Sequence, residues 1–171
     1  MSLWTEPESV LAGDPLPADF YNEQVVENLK HLHDNMPSVR VFHNTTQTTV
    51  SGVDLAVLFN TEIWKSDVLH DIAVNSSRLT IQTPGFYLCG GNIQFNTLTS
   101  LTGGYLGLLA NGSTFFARQG LGNLGLEMLV VGLYEFATNE YVQLILNLTG
   151  AGKTVNSVAA YAPVFWAHKV G

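Results

Sequence analysis

The strongest constraint on the fold is a nearly uninterrupted apolar run at residues 126–134, which reads Leu-Glu-Met-Leu-Val-Val-Gly-Leu-Tyr. Its β-branched residues favour a strand. Successive side chains of a strand point to opposite faces of a sheet, so this strand is apolar on both faces apart from Glu127. One face can cover the core of its own domain. The other face needs a neighbour as well, and we expect a second subunit to supply it.

Short apolar runs separated by turn residues continue from Val39 to the end of the chain. Asn111-Gly112 is the clearest turn, because both residues tolerate the positive φ of a tight hairpin. The predicted strands are residues 39–43, 48–59, 78–82, 86–95, 103–110, 113–118, 125–135, 140–149 and 162–170. This pattern predicts an all-β fold, an antiparallel β-sandwich of the jelly-roll type over residues 38–171.

One short helix is predicted ahead of the sandwich, over residues 17–34. Pro17 suits its first turn, and Pro37 marks its exit. Its apolar residues recur at helical spacing and so share one face: Tyr21, Val25, Leu29, Leu32 and Met36. This stripe fits a short coiled-coil seam, or a helix that lies on its own domain or on a neighbour. We prefer the second interpretation, because a coiled coil needs about three to four heptads.

The charge of the chain is concentrated in residues 1–37, which carry a net charge of −6, whereas the remaining residues carry −1. Neither part contains a basic stripe, so we expect no nucleic-acid partner. Charged residues make up only 12% of the chain, about half of the usual ~25%. So few charges indicate that some apolar surface is buried against other chains.

Residues 1–37 are also predicted to be an attachment element separate from the sandwich. Beside its acidic residues, this segment contains apolar side chains without any strand pattern: Leu3, Trp4, Val10 and Leu11. Such side chains are costly to leave in water, at about 25 cal/mol per Å² of apolar surface. We therefore expect them, with Tyr21, Val25, Leu29 and Leu32 of the helix, to contact another protein. The alternative is that the segment folds back on its own trimer and caps the sandwich.

The sequence predicts no catalytic residue, no cofactor and no metal, because no known catalytic, phosphate-binding or zinc-binding motif appears. Asp67, His70 and Asp71 form the richest polar cluster. A calcium site needs roughly six or more oxygen ligands, which two local carboxylates do not supply. We expect a turn held by side-chain hydrogen bonds there instead.

Two other motifs have structural interpretations. Residues 120–125 match the Gly-x-Gly-x-x-Gly string, but no helix follows, so we interpret them as a loop. Cys89 is expected to be a buried, inert thiol. No run of about 20 apolar residues and no signal-peptide pattern occurs, so we expect neither membrane insertion nor export by a signal peptide.

Several stretches, taken in order, resemble bacteriophage virion proteins with a jelly roll of the tumour-necrosis-factor and complement globular-head superfamily. They are residues 59–64 (Phe-Asn-Thr-Glu-Ile-Trp), 70–71 (His-Asp), 77–81 (Ser-Arg-Leu-Thr-Ile), 84–88 (Pro-Gly-Phe-Tyr-Leu) and 106–112 (Leu-Gly-Leu-Leu-Ala-Asn-Gly). Trp4 followed by residues 10–16 (Val-Leu-Ala-Gly-Asp-Pro-Leu) resembles the arm that precedes the helix in phage proteins.

This resemblance implies a homotrimer whose inner sheets pack around a three-fold axis. The candidates for the trimer interface all lie in the apolar run, namely Met128, Leu129, Val130, Val131 and Leu133. It further implies a virion protein that is assembled in the bacterial host cytoplasm, so a major capsid or tail protein is the expected partner of residues 1–37.

Three classes of function are compared. We expect a non-enzymatic virion structural protein, a capsid decoration or minor capsid protein. The alternative is a tail or fibre adhesion module for a host-surface glycan or protein, in which Trp64, Trp166 and Tyr105 stack on sugars if they are exposed. An enzyme is the least favoured class, because the predicted strands contain no paired carboxylates. Exposed aromatic residues beside a polar groove would favour adhesion.

Overall fold

The computed structural model describes residues 25–26, 29, 36–67, 69–95, 101–120, 127–150, 154–155 and 163–170. The chain divides into two compact units, Met1–Met36 and Pro37–Gly171. In the first unit, Val25 is half-buried and Leu29 is exposed. The other residues predicted for attachment lie outside the described residues: Leu3, Trp4, Val10, Leu11, Tyr21 and Leu32.

The described part of the second unit forms twelve β-strands. They are β1 (Ser38–Phe42), β2 (Gln47–Thr48), β3 (Leu55–Ala56), β4 (Thr61–Ser66), β5 (Arg78–Thr80), β6 (Gly85–Gln94), β7 (Leu101–Ala110), β8 (Thr114–Gly120), β9 (Glu127–Phe136), β10 (Tyr141–Gly150), β11 (Thr154–Val155) and β12 (Val164–Lys169).

These strands form two antiparallel five-stranded sheets and a small third pair. The first sheet has the order β4-β1-β12-β6-β9. In the second sheet, β10 lies between β3 and β7, β8 follows β7 at the edge, and β5 also pairs with β10. Strands β2 and β11 pair separately. Since neighbours in the first sheet are distant in sequence, the sheet joins residues from both ends of the second unit.

One apolar core lies between the sheets, and alternation along the strands determines which side chains enter it. In β9, Met128, Val130 and Phe136 are buried and Tyr134 packs against the core, whereas the alternate residues are exposed, namely Leu129, Val131, Leu133 and Glu135. Tyr87 and Cys89 of β6 are buried in the same cluster as Leu144 of β10. No helix among the described residues is long and apolar enough to cross a membrane.

The strand predictions succeed where turn chemistry is strong. Asn111 and Gly112 have φ values of 50° and 69°, and the amide of Ser113 donates to the carbonyl of Ala110 at 3.0 Å, which closes the predicted hairpin. The predicted strand at residues 48–59 is wrong, because the chain turns at Gly52, whose φ is 72°, and leaves only β2 and β3.

Strand β4 is absent from the sequence predictions. It lies at the edge of the first sheet and, among the described strands, pairs with β1 alone. Its residues Glu62 and Lys65 are charged, as is usual in edge strands, so the segment lacks the apolar density of a central strand.

Candidate functional site

The face of the first sheet that points away from the core, here called the outer face, carries an unusual density of exposed apolar side chains. Leu129, Val131 and Leu133 of β9 are 57%, 46% and 56% exposed. Phe86 and Leu88 of the neighbouring strand β6 are 45% and 37% exposed. Leu133 is directly opposite Leu88 in the antiparallel register. We call these five residues the apolar strip.

The five residues predicted for an interface divide between two environments. Leu129, Val131 and Leu133 belong to the apolar strip. Met128 and Val130 are only 5% and 4% exposed and lie in the core, so the expectation that they form part of a surface is corrected. The reason is the two-residue period of a strand, which sends neighbouring side chains to opposite faces.

A groove of about 440 Å³ lies beside the apolar strip on the same face. Trp64 of β4, Arg40 of β1 and Trp166 of β12 are side by side in the register of the three strands. Leu129 forms the border with the apolar strip. We call this feature the tryptophan groove, and its aromatic and polar lining consists of Ser38, Arg40, Trp64, Asn92, Trp166 and His168.

Gly90 determines how Trp166 lies in this groove. The two residues are paired across β6 and β12, and a Cβ atom at position 90 would be 2.4 Å from the indole Cζ2 atom. Real Cβ atoms essentially never come so close, so the indole occupies space that only glycine leaves free. The ring is therefore half-buried on the strand, whereas Trp64 is 48% exposed.

Arg40 lies between the two tryptophans. Its guanidinium carbon is 5.4 Å from the centre of the Trp64 ring, within the range of a cation–π contact. Its Nε atom is buried and has no hydrogen-bond partner. No carboxylate of the described residues forms an ion pair with this arginine. Within the part of the chain that the structure describes, the groove therefore presents a cation without a compensating anion.

A second polar cluster joins β4 to the segment that follows it. Glu62 accepts hydrogen bonds from Lys65 Nζ at 3.0 Å and from His70 Nδ1 at 3.1 Å, and Lys65 also donates to the carbonyl of His70 at 3.2 Å. Burial acts to raise the pKa of Glu62, but the hydrogen bonds from Lys65 and His70 outweigh it, so the pKa is lowered. Glu62 could not be recognised from the sequence, because β4 was not predicted.

Asp67 and Asp71, which were candidates for a metal site, form separate hydrogen bonds with nearby residues. Asp71 Oδ1 accepts from the amides of Ala73 and Val74 at 2.8 and 3.2 Å, and Asp67 Oδ2 accepts from the Thr83 hydroxyl at 3.1 Å. The expectation of turns held by side-chain hydrogen bonds is confirmed. No group of three or more potential metal ligands occurs among the described residues.

Tyr105 does not offer a free stacking surface. The guanidinium carbon of Arg118 lies 3.7 Å from the centre of its ring, and its hydroxyl donates to Asp54 at 2.6 Å. Burial, followed by this hydrogen bond, raises the pKa of Tyr105. Cys89 is buried as predicted, and burial raises the pKa of its thiol to about 12. Of the three aromatic residues considered for sugar stacking, only Trp64 and Trp166 share a groove.

Comparison with known proteins identifies the fold. No family model and no curated protein matches the chain. Crystal structures of murine APRIL do match: the one at pH 8.5 has a TM-score of 0.53 and 9% identity. The one at pH 5.0 has a TM-score of 0.55 and 8% identity. Each match covers 79% of this chain and 99% of the APRIL chain.

This similarity confirms the predicted fold class: a two-sheet antiparallel sandwich of the tumour-necrosis-factor-like jelly-roll type. At such low identity it shows the fold alone. The helix, the trimer and the phage origin remain predictions.

Proposed function

We propose that this chain is a non-enzymatic structural subunit that forms a homotrimer through the outer face of its first sheet. We further propose that the trimer is a surface component of a bacteriophage particle, a capsid decoration or minor capsid protein. The apolar strip is the observation that carries the first part. The ordered sequence resemblance to virion proteins supports the second part.

The composition of the outer face favours another copy of the chain as its neighbour. Contiguous exposed apolar patches on soluble proteins mark interaction sites. Glu127 and Glu135 are exposed at the two ends of β9, so the strip has polar margins, as protein interfaces commonly do. Folds of the tumour-necrosis-factor type typically form homotrimers and are usually not enzymes, which favours a three-fold assembly.

Light scattering on the purified full chain tests the trimer. We expect a particle mass about three times the chain mass of 18.6 kDa. A stable monomer at micromolar concentration would overturn the proposal. A dimer would also contradict it, because the strip would then be self-complementary across a two-fold axis.

The attachment role of residues 1–37 needs a separate test. A chain that starts at Ser38 is added to particles that lack the native protein. We expect it to fold and to form trimers, but not to load onto the particles, whereas the full chain loads. If the shortened chain still loads, the attachment surface lies elsewhere. If it is insoluble, the first 37 residues belong to the fold.

The tryptophan groove favours a second candidate function, a tail or fibre adhesion module that binds a host-surface ligand. Trp64 is nearly half exposed beside polar groups, which is the arrangement that distinguishes adhesion from decoration. Electron microscopy of particles carrying a tagged chain separates the two candidates. Label on the head supports decoration, and label on the tail tip or fibres supports adhesion.

A further inference from the structure

The outer face of the first sheet has two halves of opposite charge. Strands β6 and β9, which carry the apolar strip, contain Glu127 and Glu135 and no basic residue. Strands β1 and β12 contribute Arg40 and His168 to the tryptophan groove and contain no acidic residue. One sheet face therefore offers two surfaces of complementary charge that lie side by side.

A three-fold assembly requires two different surfaces of this kind. In a two-fold dimer a patch meets the same patch of the partner, whereas in a ring one patch of each copy contacts a different patch of the next copy. Contact between two apolar strips would also place acidic margins against each other, which is unfavourable. Given the homotrimer proposed above, on which this inference rests, the surface that the apolar strip covers is the tryptophan groove of the next copy.

The residue types in the groove are those that protein interfaces favour. Aromatic residues and arginine are enriched at interface centres, and tryptophan and arginine are common among the residues that dominate binding energy. Arg40 is directly opposite both Trp64 and Trp166 in the register, so the three residues form one row across the sheet. The row presents two apolar rings with one cation between them. Apolar side chains accompanied by a carboxylate would cover it.

Arg40 and Glu135 are the two charges of this face that lack an ion-pair partner within the described part of the chain. Arg40 is half-buried, and its Nε atom is closed to solvent without a hydrogen bond. A guanidinium in such a position is costly unless a carboxylate compensates it. Glu127 accepts a hydrogen bond from Asn92 at 3.1 Å, whereas Glu135 is exposed. Glu135 is therefore the acid that remains available.

Arg40 and Glu135 cannot meet within one chain. Strands β12 and β6 lie between β1 and β9, so the two residues are about 14 Å apart across the sheet. Val131 is on the same row of side chains as Arg40, and Glu135 lies four residues farther along β9, which adds about 13 Å. We propose that Glu135 of the next copy supplies the missing carboxylate, so that β9 of each copy lies on the tryptophan groove of its neighbour.

This contact separates the two candidate functions. A groove that the next copy covers is closed to a host ligand. The structural subunit is then favoured, and adhesion would need another surface.

Charge reversal tests the pair, with light scattering on the full chain as the measurement. R40E and E135R each place like charges at the contact, so the concentration at which trimers form should rise by about thirtyfold or more. The double variant R40E/E135R restores opposite charges and should recover trimers. Glu135 is exposed, so E135R keeps the test valid if R40E does not fold.

Two controls locate the effect. R118E reverses a charge in the second sheet, where Arg118 stacks on Tyr105, and should leave the particle mass unchanged. R40E/E127R has the same net charge as R40E/E135R but changes the acid at the other end of β9, and it should not recover trimers. Unchanged circular dichroism establishes that each variant is folded.

The outcomes distinguish this contact from the trimer itself. If the natural chain is a trimer and both R40E and E135R remain trimers at the same concentrations, the ion pair is excluded and the assembly stands. The pair is also excluded if R40E/E135R stays dissociated, or if R40E/E127R recovers trimers as well. If the natural chain is a monomer or a dimer, the proposed assembly and this contact are both overturned.

Discussion

The Nδ1 atom of His70 lies 3.1 Å from the Oε1 atom of Glu62, and the His70 side chain is closed to solvent. Its other ring nitrogen, Nε2, is 3.3 Å from the carbonyl of Ser76. A carboxylate and a carbonyl both accept hydrogen bonds, so each contact is one in which a ring N–H of His70 would be the donor. The pair thereby joins the edge strand β4 to both ends of the segment at residues 70–76.

Removal of the Glu62 charge should change how stability depends on acid pH. The pKa of Glu62 is lowered in the folded chain from its ordinary value of 4.5. A lowered carboxyl pKa stabilises the fold above the unfolded pKa, and this contribution is lost as pH falls through the folded pKa. We therefore expect E62Q to lose less stability than the natural chain between about pH 5 and about pH 3. Thermal unfolding across this range is the measurement, and parallel curves would contradict the prediction.

Charges placed at two neighbouring positions of β9 should have different effects. V130E puts an unpaired charge in the core, where Val130 is 4% exposed, and should cost several kcal/mol, about enough to prevent folding. L129D changes a side chain that is 57% exposed, so the chain should fold but no longer trimerise. Circular dichroism and light scattering distinguish the two results. A trimer in L129D would exclude the apolar strip as the interface.

The sequence was most informative where local chemistry decides the structure. The hairpin at Asn111-Gly112 follows from two residues that tolerate positive φ, and the strand β9 follows from its run of β-branched and other apolar residues. The sequence did not determine which face of β9 is inside. Val130 and Leu129 are both apolar, so their residue types do not show which one is buried. Val130 is the core residue because its side of β9 faces the second sheet.

The tryptophan groove could not be predicted, because strand pairing between distant segments creates it. Trp64 and Trp166 lie near opposite ends of the second unit, and both become neighbours of Arg40 because β1 pairs with β4 on one side and β12 on the other. Edge strand β4 was not predicted either, because its charged residues interrupt the apolar pattern of a strand. The site therefore depends on a register that no local pattern specifies.

A methyl group at Gly90 should disturb the groove. The added Cβ atom in G90A would be 2.4 Å from Trp166 Cζ2, so the indole must move, at a cost of about 1–3 kcal/mol. We expect a shifted tryptophan emission and a lower unfolding free energy. G120A is the control, because a Cβ atom there meets nothing within 4 Å. If both variants behave alike, Trp166 does not lie against Gly90.

The turn at Asp71 should depend on its carboxylate and not on a metal. D71A removes the acceptor of two backbone amides, those of Ala73 and Val74. Loss of a hydrogen bond of this kind typically costs about 0.5–1.5 kcal/mol. We expect this destabilisation in denaturant titrations, whereas a chelator should leave the unfolding temperature of the natural chain unchanged. A drop with chelator that calcium restores would contradict our interpretation of Asp67, His70 and Asp71.

Alkylation of Cys89 should report the unfolding of the sandwich. The thiolate is the reactive form, and burial raises the pKa of this thiol to about 12, so at pH 8 only about one molecule in ten thousand would carry it. Cys89 is also closed to solvent in the core. Reaction with iodoacetamide should therefore begin only at denaturant concentrations that unfold the chain, and its midpoint should coincide with that of tryptophan fluorescence. The control is V50C in a C89A background, because Val50 is 64% exposed and a thiol there should react in the folded chain. Labelling of Cys89 at a comparable rate without denaturant would mean that β6 separates from its neighbours in the native state.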